Sequence, residues 1–167
     1  VFIAIQHHPF RPRHWSLTAK LTTVTTLFFF AFGAFFWGLF EWNNPATIGD
    51  YSAGDKVLNA IFASVMMRSG GFNLVDMSSI TPVSTLLTDM LMFIGGGSGS
   101  TAGGVKVTTI AVIALSILAE ARGDQKVVAF NRTIPESSLR IAISVIVMGA
   151  TVVGVGAASI LIISGAD

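Results

Sequence analysis

Residues 21–40 and 141–164 form two long apolar runs without a single charged side chain, and nothing else in the chain limits its fold as strongly. Each run supplies the roughly 20 apolar residues that a helix needs to cross a bilayer core. Trp37 and Trp42 stand near the end of the first, a position that suits the boundary between lipid and water. The second follows the helix-starting pair Pro135-Glu136. It carries Ala150, Gly154 and Ala158 at intervals of four, a spacing of small residues that favours close helix packing in lipid. Composition agrees, with 52% of residues hydrophobic and 11% charged, against roughly 25% charged in soluble domains. The expected fold is an all-α membrane protein.

Several classes of function are disfavoured at once. A net charge of +1 gives a nucleic acid nothing to hold. The absence of cysteine removes disulfides, zinc–thiolate sites and cysteine nucleophiles. His7, His8 and His14 all lie in the polar N-terminal segment, so neither a catalytic nor a metal-binding constellation is expected, and no enzyme and no cofactor. No basic, apolar and cleavage regions are arranged as in a secretory signal. The chain starts at Val1 in a short apolar stretch and stops at Asp167 just after a long one, which reads as an internal piece of a longer multi-pass protein.

Between the two runs the pattern is interrupted. Asp55 is expected to cap a helix from Lys56 to about Met67 that ends at Arg68-Ser69-Gly70-Gly71. Its apolar core, residues 57–67, is too short to span. Thr81-Pro82 opens a second apolar segment that runs to Ile94, breaks over residues 95–104 and resumes over 105–119. Arg11, Arg13 and Lys20 precede the first run, and Arg122, Lys126, Arg132 and Arg140 occupy the 120–140 loop, whereas Lys56 is outnumbered by Glu41, Asp50 and Asp55. The excess of basic residues in cytoplasmic loops puts both basic segments on that side. An even number of crossings must then separate them, so the 57–67 helix dips in and returns on the outer side. As helices, 83–94 and 105–119 are about 18 Å and about 22 Å long. Neither alone crosses a core of about 30 Å, but together they do. The break at 95–104 thus falls within the membrane, where irregular backbone survives only when it is buried in protein or lines a watery cavity.

Both interruptions suit an ion path. A dehydrated cation needs oxygen ligands in place of its water shell, and backbone carbonyls supply them without charge. Ser69-Gly70-Gly71-Phe72 follows a short helix whose C-terminal end adds partial negative charge, and glycine reaches the backbone angles such a strand requires. The plainer reading of this stretch is a turn. Arg68 is expected to satisfy the last carbonyls of its own helix or to pair with a carboxylate outside the pore. The 95–104 stretch lacks the Gly-Lys-[Ser/Thr] ending of a phosphate-binding loop, because Val105 separates Gly104 from Lys106 and Val107 replaces the hydroxyl. It is left as a loop that blocks or clears a pore, or as a kink that lets helices pack closely. Asp89, inside an apolar run, is costly in a membrane and is expected to pair with Arg68 or Lys106, the alternative being that it faces water. Lys106 is expected to anchor the glycine-rich loop, the alternative being a side chain that reaches cytoplasmic water.

Residues 64–76 (SVMMRSGGFNLVD) and 92–106 (MFIGGGSGSTAGGVK) resemble two signature stretches of the Trk/Ktr/HKT superfamily of potassium transporters. The first is similar to its R-[ST]-A-G-F-N filter stretch and the second to its glycine-rich intramembrane loop. The resemblance implies four repeats of helix, pore loop and helix around one pore. Residues 1–20 would be a cytoplasmic segment. Residues 21–119 would be the third repeat, with a re-entrant pore helix and a second helix broken by the glycine-rich loop. Residues 120–138 would be a cytoplasmic loop, and 139–167 the first transmembrane helix of the fourth repeat. The implied function is uptake of potassium, a monovalent cation, by a multi-pass protein of the plasma (inner) membrane. Ser69, Gly70, Gly71 and Phe72 would form the filter, with potassium at Ser69, Gly70 and Gly71. Gly95, Gly96, Gly97, Ser98, Gly99, Ser100, Thr101, Ala102, Gly103, Gly104 and Lys106 would form the gate. A homodimer embedded in membrane lipid is implied, together with a cytoplasmic nucleotide-binding ring subunit seated on the basic loops 6–20 and 120–140. Two departures stand out: Gly70 replaces the usual alanine, and Met66-Met67 stand where the family often has Thr-Pro. The competing reading is a secondary transporter of another class that binds its substrate at broken helices in mid-membrane.

Overall fold

The computed structural model describes residues 15–68, 70–97, 103–124 and 126–165; the three histidines and Arg11 and Arg13 lie outside them. The chain forms two compact units, Val1–Thr108 and Thr109–Asp167.

In the first unit, α1 spans Leu17–Glu41. It starts four residues before the predicted run because Ser16 caps it, its Oγ accepting from the Ala19 N–H at 3.2 Å, which ties off one of the free N–H groups of a helix start. α2 spans Ala53–Met66. Its cap is Ser52 rather than the predicted Asp55: Ser52 Oγ accepts from the Asp55 N–H at 3.3 Å and donates to Asp55 Oδ2 at 2.7 Å. Asp55 therefore sits inside the first turn, where the partial positive charge of the helix end favours a carboxylate. α3 spans Pro82–Phe93 with Thr81 as its cap, as Thr81-Pro82 predicts.

α1 packs against both α2 and α3, most closely at Gly33. A Cβ there would lie 2.6 Å from Ser64 Oγ and 2.9 Å from Leu91 Cδ1. Ser64 is buried and donates to the Phe30 carbonyl at 2.8 Å. Trp37, Ile48, Ala60, Ile80, Leu87 and Leu91 form the core of this unit. Phe28, Phe35, Leu39, Leu58, Leu86 and Met90 remain exposed on the helices, more apolar surface than a water-soluble chain leaves uncovered.

α4 (Val107–Arg122) begins at the end of the first unit and runs three residues past the predicted Ala119. The second unit continues with β1 (Val128–Ala129) and β2 (Arg132–Thr133), an antiparallel pair. The turn between them holds Phe130 and Asn131 at φ 49° and 61°, the two positive values of a two-residue hairpin turn. The all-α expectation is corrected here: the chain is mostly helical, but its 120–140 loop contains this small hairpin. α5 spans Glu136–Ser164, starting at the Pro135-Glu136 pair as the sequence predicts, and stops at Gly165 with φ 61°. Among the described residues, α1 and α5 are the helices long and apolar enough to cross a membrane. Ala150, Gly154 and Ala158 are exposed on α5.

Gly33→Ala inserts a methyl where α1 touches both neighbours, and overpacking of this kind costs about 1–3 kcal/mol. A lowered Tm in detergent is the expected result, and an unchanged one would contradict the packing described.

Candidate ion-conducting site

α2 ends in a turn closed by two glycines. The Gly70 and Gly71 N–H groups both donate to the Met66 carbonyl, at 2.9 and 3.3 Å. Gly71 has φ +71°, a left-handed conformation that costs other residues roughly 1–2 kcal/mol. At Gly70 an added Cβ would collide with Met66 Sδ and lie 3.1 Å from Met66 Cα. The Met66 side chain therefore occupies the space that an alanine side chain at position 70 would need. Ser69 lies outside the described residues. Phe72, Asn73 and Leu74 are exposed, and a cavity of about 30 Å³ between this stretch, α1 and α2 is lined by Trp37, Asn59, Met66, Phe72, Val75 and Met77.

Arg68 does not play either predicted part. Its Nη1 donates to the carbonyl of Thr26 on α1 at 3.1 Å, so its partner is neither an α2 carbonyl nor a carboxylate. The chain leaves α2 beside α1, and the long side chain reaches the neighbouring helix more readily than its own. Asp89 is exposed on α3 and makes no ion pair among the described residues, which corrects the expected pairing.

The far end of the stretch is held by a residue that the sequence presents only as one acid of an acidic loop. Glu41, at the end of α1, is fully buried. Its Oε1 accepts from the Thr81 N–H and the Thr81 hydroxyl, both at 2.8 Å. Its Oε2 accepts from Asn44 Nδ2 and the Thr47 hydroxyl, both at 2.7 Å. Asn44 Nδ2 also donates to the Ser79 carbonyl at 2.9 Å. The neighbouring cation, Lys56, is engaged elsewhere, donating to the Trp42 carbonyl at 2.8 Å and standing 5.2 Å from the Trp42 ring centroid. The available signal was an ionisable residue at the edge of an apolar run. Between the two ends, Asp76 caps the 3-10 turn Met77–Ser79. Hydrogen bonds from the Ser78 backbone N–H and then its hydroxyl hold the Asp76 carboxyl below the usual carboxylate range.

The glycine-rich stretch is pinned at its neck. The Gly95 N–H donates to the Val105 carbonyl at 2.9 Å, the Val105 N–H to the Phe93 carbonyl at 2.9 Å, and the Val107 N–H to the Gly96 carbonyl at 3.3 Å. Ile94 and Val105 pair as a parallel bridge. Because Val105 belongs to this neck, α4 starts at Val107 and not at the predicted 105. A Cβ on Gly95 would collide with the Gly103 carbonyl oxygen. Lys106, just past the neck, is half-buried. Ser98, Gly99, Ser100, Thr101 and Ala102 lie outside the described residues.

Both glycine-bearing stretches are anchored to α1 one turn apart. Gly97 packs against Thr22, whose Cγ2 would collide with a Cβ there, and Arg68 bonds at Thr26. Residues four apart are neighbours on a helix surface, so the neck of one stretch and the end of the other lie one turn apart. Gly104 has φ +77°, and a Cβ on it would be 2.7 Å from the Phe93 carbonyl oxygen. Gly104→Ala should therefore open the neck and cost about 1–3 kcal/mol, read as a fall in Tm. Gly103→Ala, whose Cβ would meet nothing within 4 Å, should be tolerated; equal losses at both positions would contradict the pinned neck.

The family described as "TrkH: Cation transport protein" matches residues 5–133. The chain is 36% identical over 146 residues to Ktr system potassium uptake protein B of Bacillus subtilis (strain 168), covering 87% of this chain and 33% of that protein. It is 33% identical over 147 residues to the protein of the same name from Vibrio alginolyticus, covering 84% and 32%. It is 34% identical over 107 residues to potassium/sodium uptake protein NtpJ of Enterococcus hirae, covering 64% and 24%. The chain thus spans a third or less of the length of these relatives.

Proposed function

Because the chain belongs to the TrkH family of cation transport proteins, we propose that it supplies one filter stretch and the gate of a potassium-conducting pore. The observation that carries this reading is Gly71, held left-handed at the end of a helix too short to cross. α2 has 14 residues, about 21 Å at the helical rise, against a bilayer core of about 30 Å. It is a pore helix that enters and returns on the outer side. Beyond it the carbonyls of Ser69, Gly70 and Gly71, with the backbone of Phe72, take the place of water around the ion. Residues 21–119 form the third of four repeats around the pore, and 139–167 the first helix of the fourth.

The stretch from Gly95 to Gly104, with Lys106 behind it, is the gate. The neck hydrogen bonds support this by fixing where the loop leaves α3 and where it joins α4. The transported ion is potassium, in keeping with relatives named as potassium and potassium/sodium uptake proteins. The protein lies in the plasma (inner) membrane with residues 1–20 and 120–138 in the cytoplasm. It works as a homodimer, and its basic cytoplasmic loops receive a nucleotide-binding ring subunit. No chemistry is performed on the ion.

The test is potassium and sodium flux through the whole transporter in liposomes. Gly71→Ser places a side chain on a left-handed backbone in the filter. The expected result is a loss of potassium preference over sodium of about tenfold, equal to about 1.4 kcal/mol of differential ion binding. Normal flux with an unchanged preference would reduce residues 69–72 to a turn.

A further inference from the structure

We propose that Glu41 is a positioning residue for ion selection, its buried carboxylate fixing the far end of the backbone that carries the filter. This rests on the filter reading of residues 69–72. Gly71 N–H is the last donor tied back to α2, through the Met66 carbonyl. The next backbone donors held are Ser78, on Asp76 Oδ1, and Ser79, on the Asp76 carbonyl. Between them, the N–H groups of Phe72, Asn73, Leu74 and Val75 donate to no group among the described residues. Apart from Val75, which packs against the core of this unit, a segment without its own ladder takes its path from its two ends. The near end is the close of α2, with Arg68 on Thr26. The far end is Ser79 and Thr81, and both lead to Glu41: Thr81 directly, Ser79 through Asn44.

The chemistry of this clamp requires a carboxylate. Each oxygen accepts two hydrogen bonds, and every partner is a donor. Hydrogen bonds to an ionised acceptor are roughly twice as strong as neutral ones. The Thr81 N–H opens α3, so the negative charge also faces the positive end of that helix. An amide in place of the carboxylate would have to set its NH2 against one side of the clamp. The Thr81 N–H cannot reverse its polarity. The Thr47 hydroxyl can rotate, but Asn44 cannot flip without releasing Ser79, and its Oδ1 already accepts from the Ala46 N–H at 3.1 Å. Glu41→Gln therefore puts donor against donor at Asn44 and loosens the tether on Ser79, while leaving every filter residue in place.

The experiment measures potassium and sodium flux and Tm on the whole transporter, for Glu41→Gln, Asn44→Ala and Gly71→Ser in parallel. The expected result is a several-fold fall in the potassium-to-sodium flux ratio per folded transporter for Glu41→Gln, with flux retained. Asn44→Ala, which removes the donor to Ser79, one of the four donors to Glu41 and the Oδ1 acceptor of the Ala46 N–H, should move the ratio in the same direction and serves as the readout if Glu41→Gln does not fold. A lowered Tm with an unchanged ratio would make Glu41 a structural residue only and overturn the proposal. A ratio shifted by Gly71→Ser but by neither clamp variant would overturn it while leaving the filter reading intact. A ratio unmoved by Gly71→Ser would bring down the filter reading, and this proposal with it.

Discussion

α2 is stitched to α1 through carbonyl oxygens of the α1 backbone. Lys56 donates to Trp42, Ser64 to Phe30 and Arg68 to Thr26, at 2.8, 2.8 and 3.1 Å. The donors rise in sequence as the acceptors fall, so the two helices run antiparallel and their register is set at top, middle and bottom. Gly33 lets the helices approach closely enough for the middle stitch to form. Trp42 caps the end of α1, where carbonyls are free of the helical ladder; at Phe30 and Thr26 the bond uses the second lone pair of a carbonyl, so α1 need not give up its own ladder. In surroundings of low dielectric such bonds gain strength, and leaving a donor unpaired becomes expensive. The position of the α2 end, and so of Gly70 and Gly71, follows from this register.

Much of this was legible in the sequence because charge avoidance is a local signal. The runs containing α1 and α5 could be read directly, and Thr81-Pro82 marked the start of α3 because a cap and a fixed φ act within one turn. The ends of α1 and α2 were misplaced where a serine did the capping. Ser16 lies outside the apolar run, and Ser52 competes with Asp55, which looks like a cap but serves as the first-turn acid. The hairpin at Phe130-Asn131 was hidden because its turn uses positive φ without glycine, the residue by which such turns are usually recognised.

The site divides along the same line. Glycine pairs are visible in any sequence, and the positive φ of Gly71 and Gly104 agrees with the reason for expecting glycine there. Partners across the fold were not visible. Arg68 could be matched to a carbonyl of α1 only once the two helices were in register, and the same holds for Thr81 and Glu41. A buried carboxylate fed by backbone and hydroxyl donors, rather than by a cation, leaves no charge pattern in the chain. Likewise, the contact of the Met66 side chain with Gly70 is invisible until the turn at the end of α2 is seen. The closeness of Thr22 and Thr26 on α1 brings the pinned neck near the end of α2, although the two stretches are separated in sequence by all of α3.

The central claim is that backbone oxygens at the end of α2 face a passing monovalent cation. The most direct measurement is anomalous X-ray scattering from crystals of the whole transporter grown with thallium ions, which mimic potassium in size and charge. The account predicts an anomalous peak in direct contact with the carbonyl oxygens of Gly70 and Gly71. Thallium bound in the transporter with no peak at residues 69–72 would contradict it.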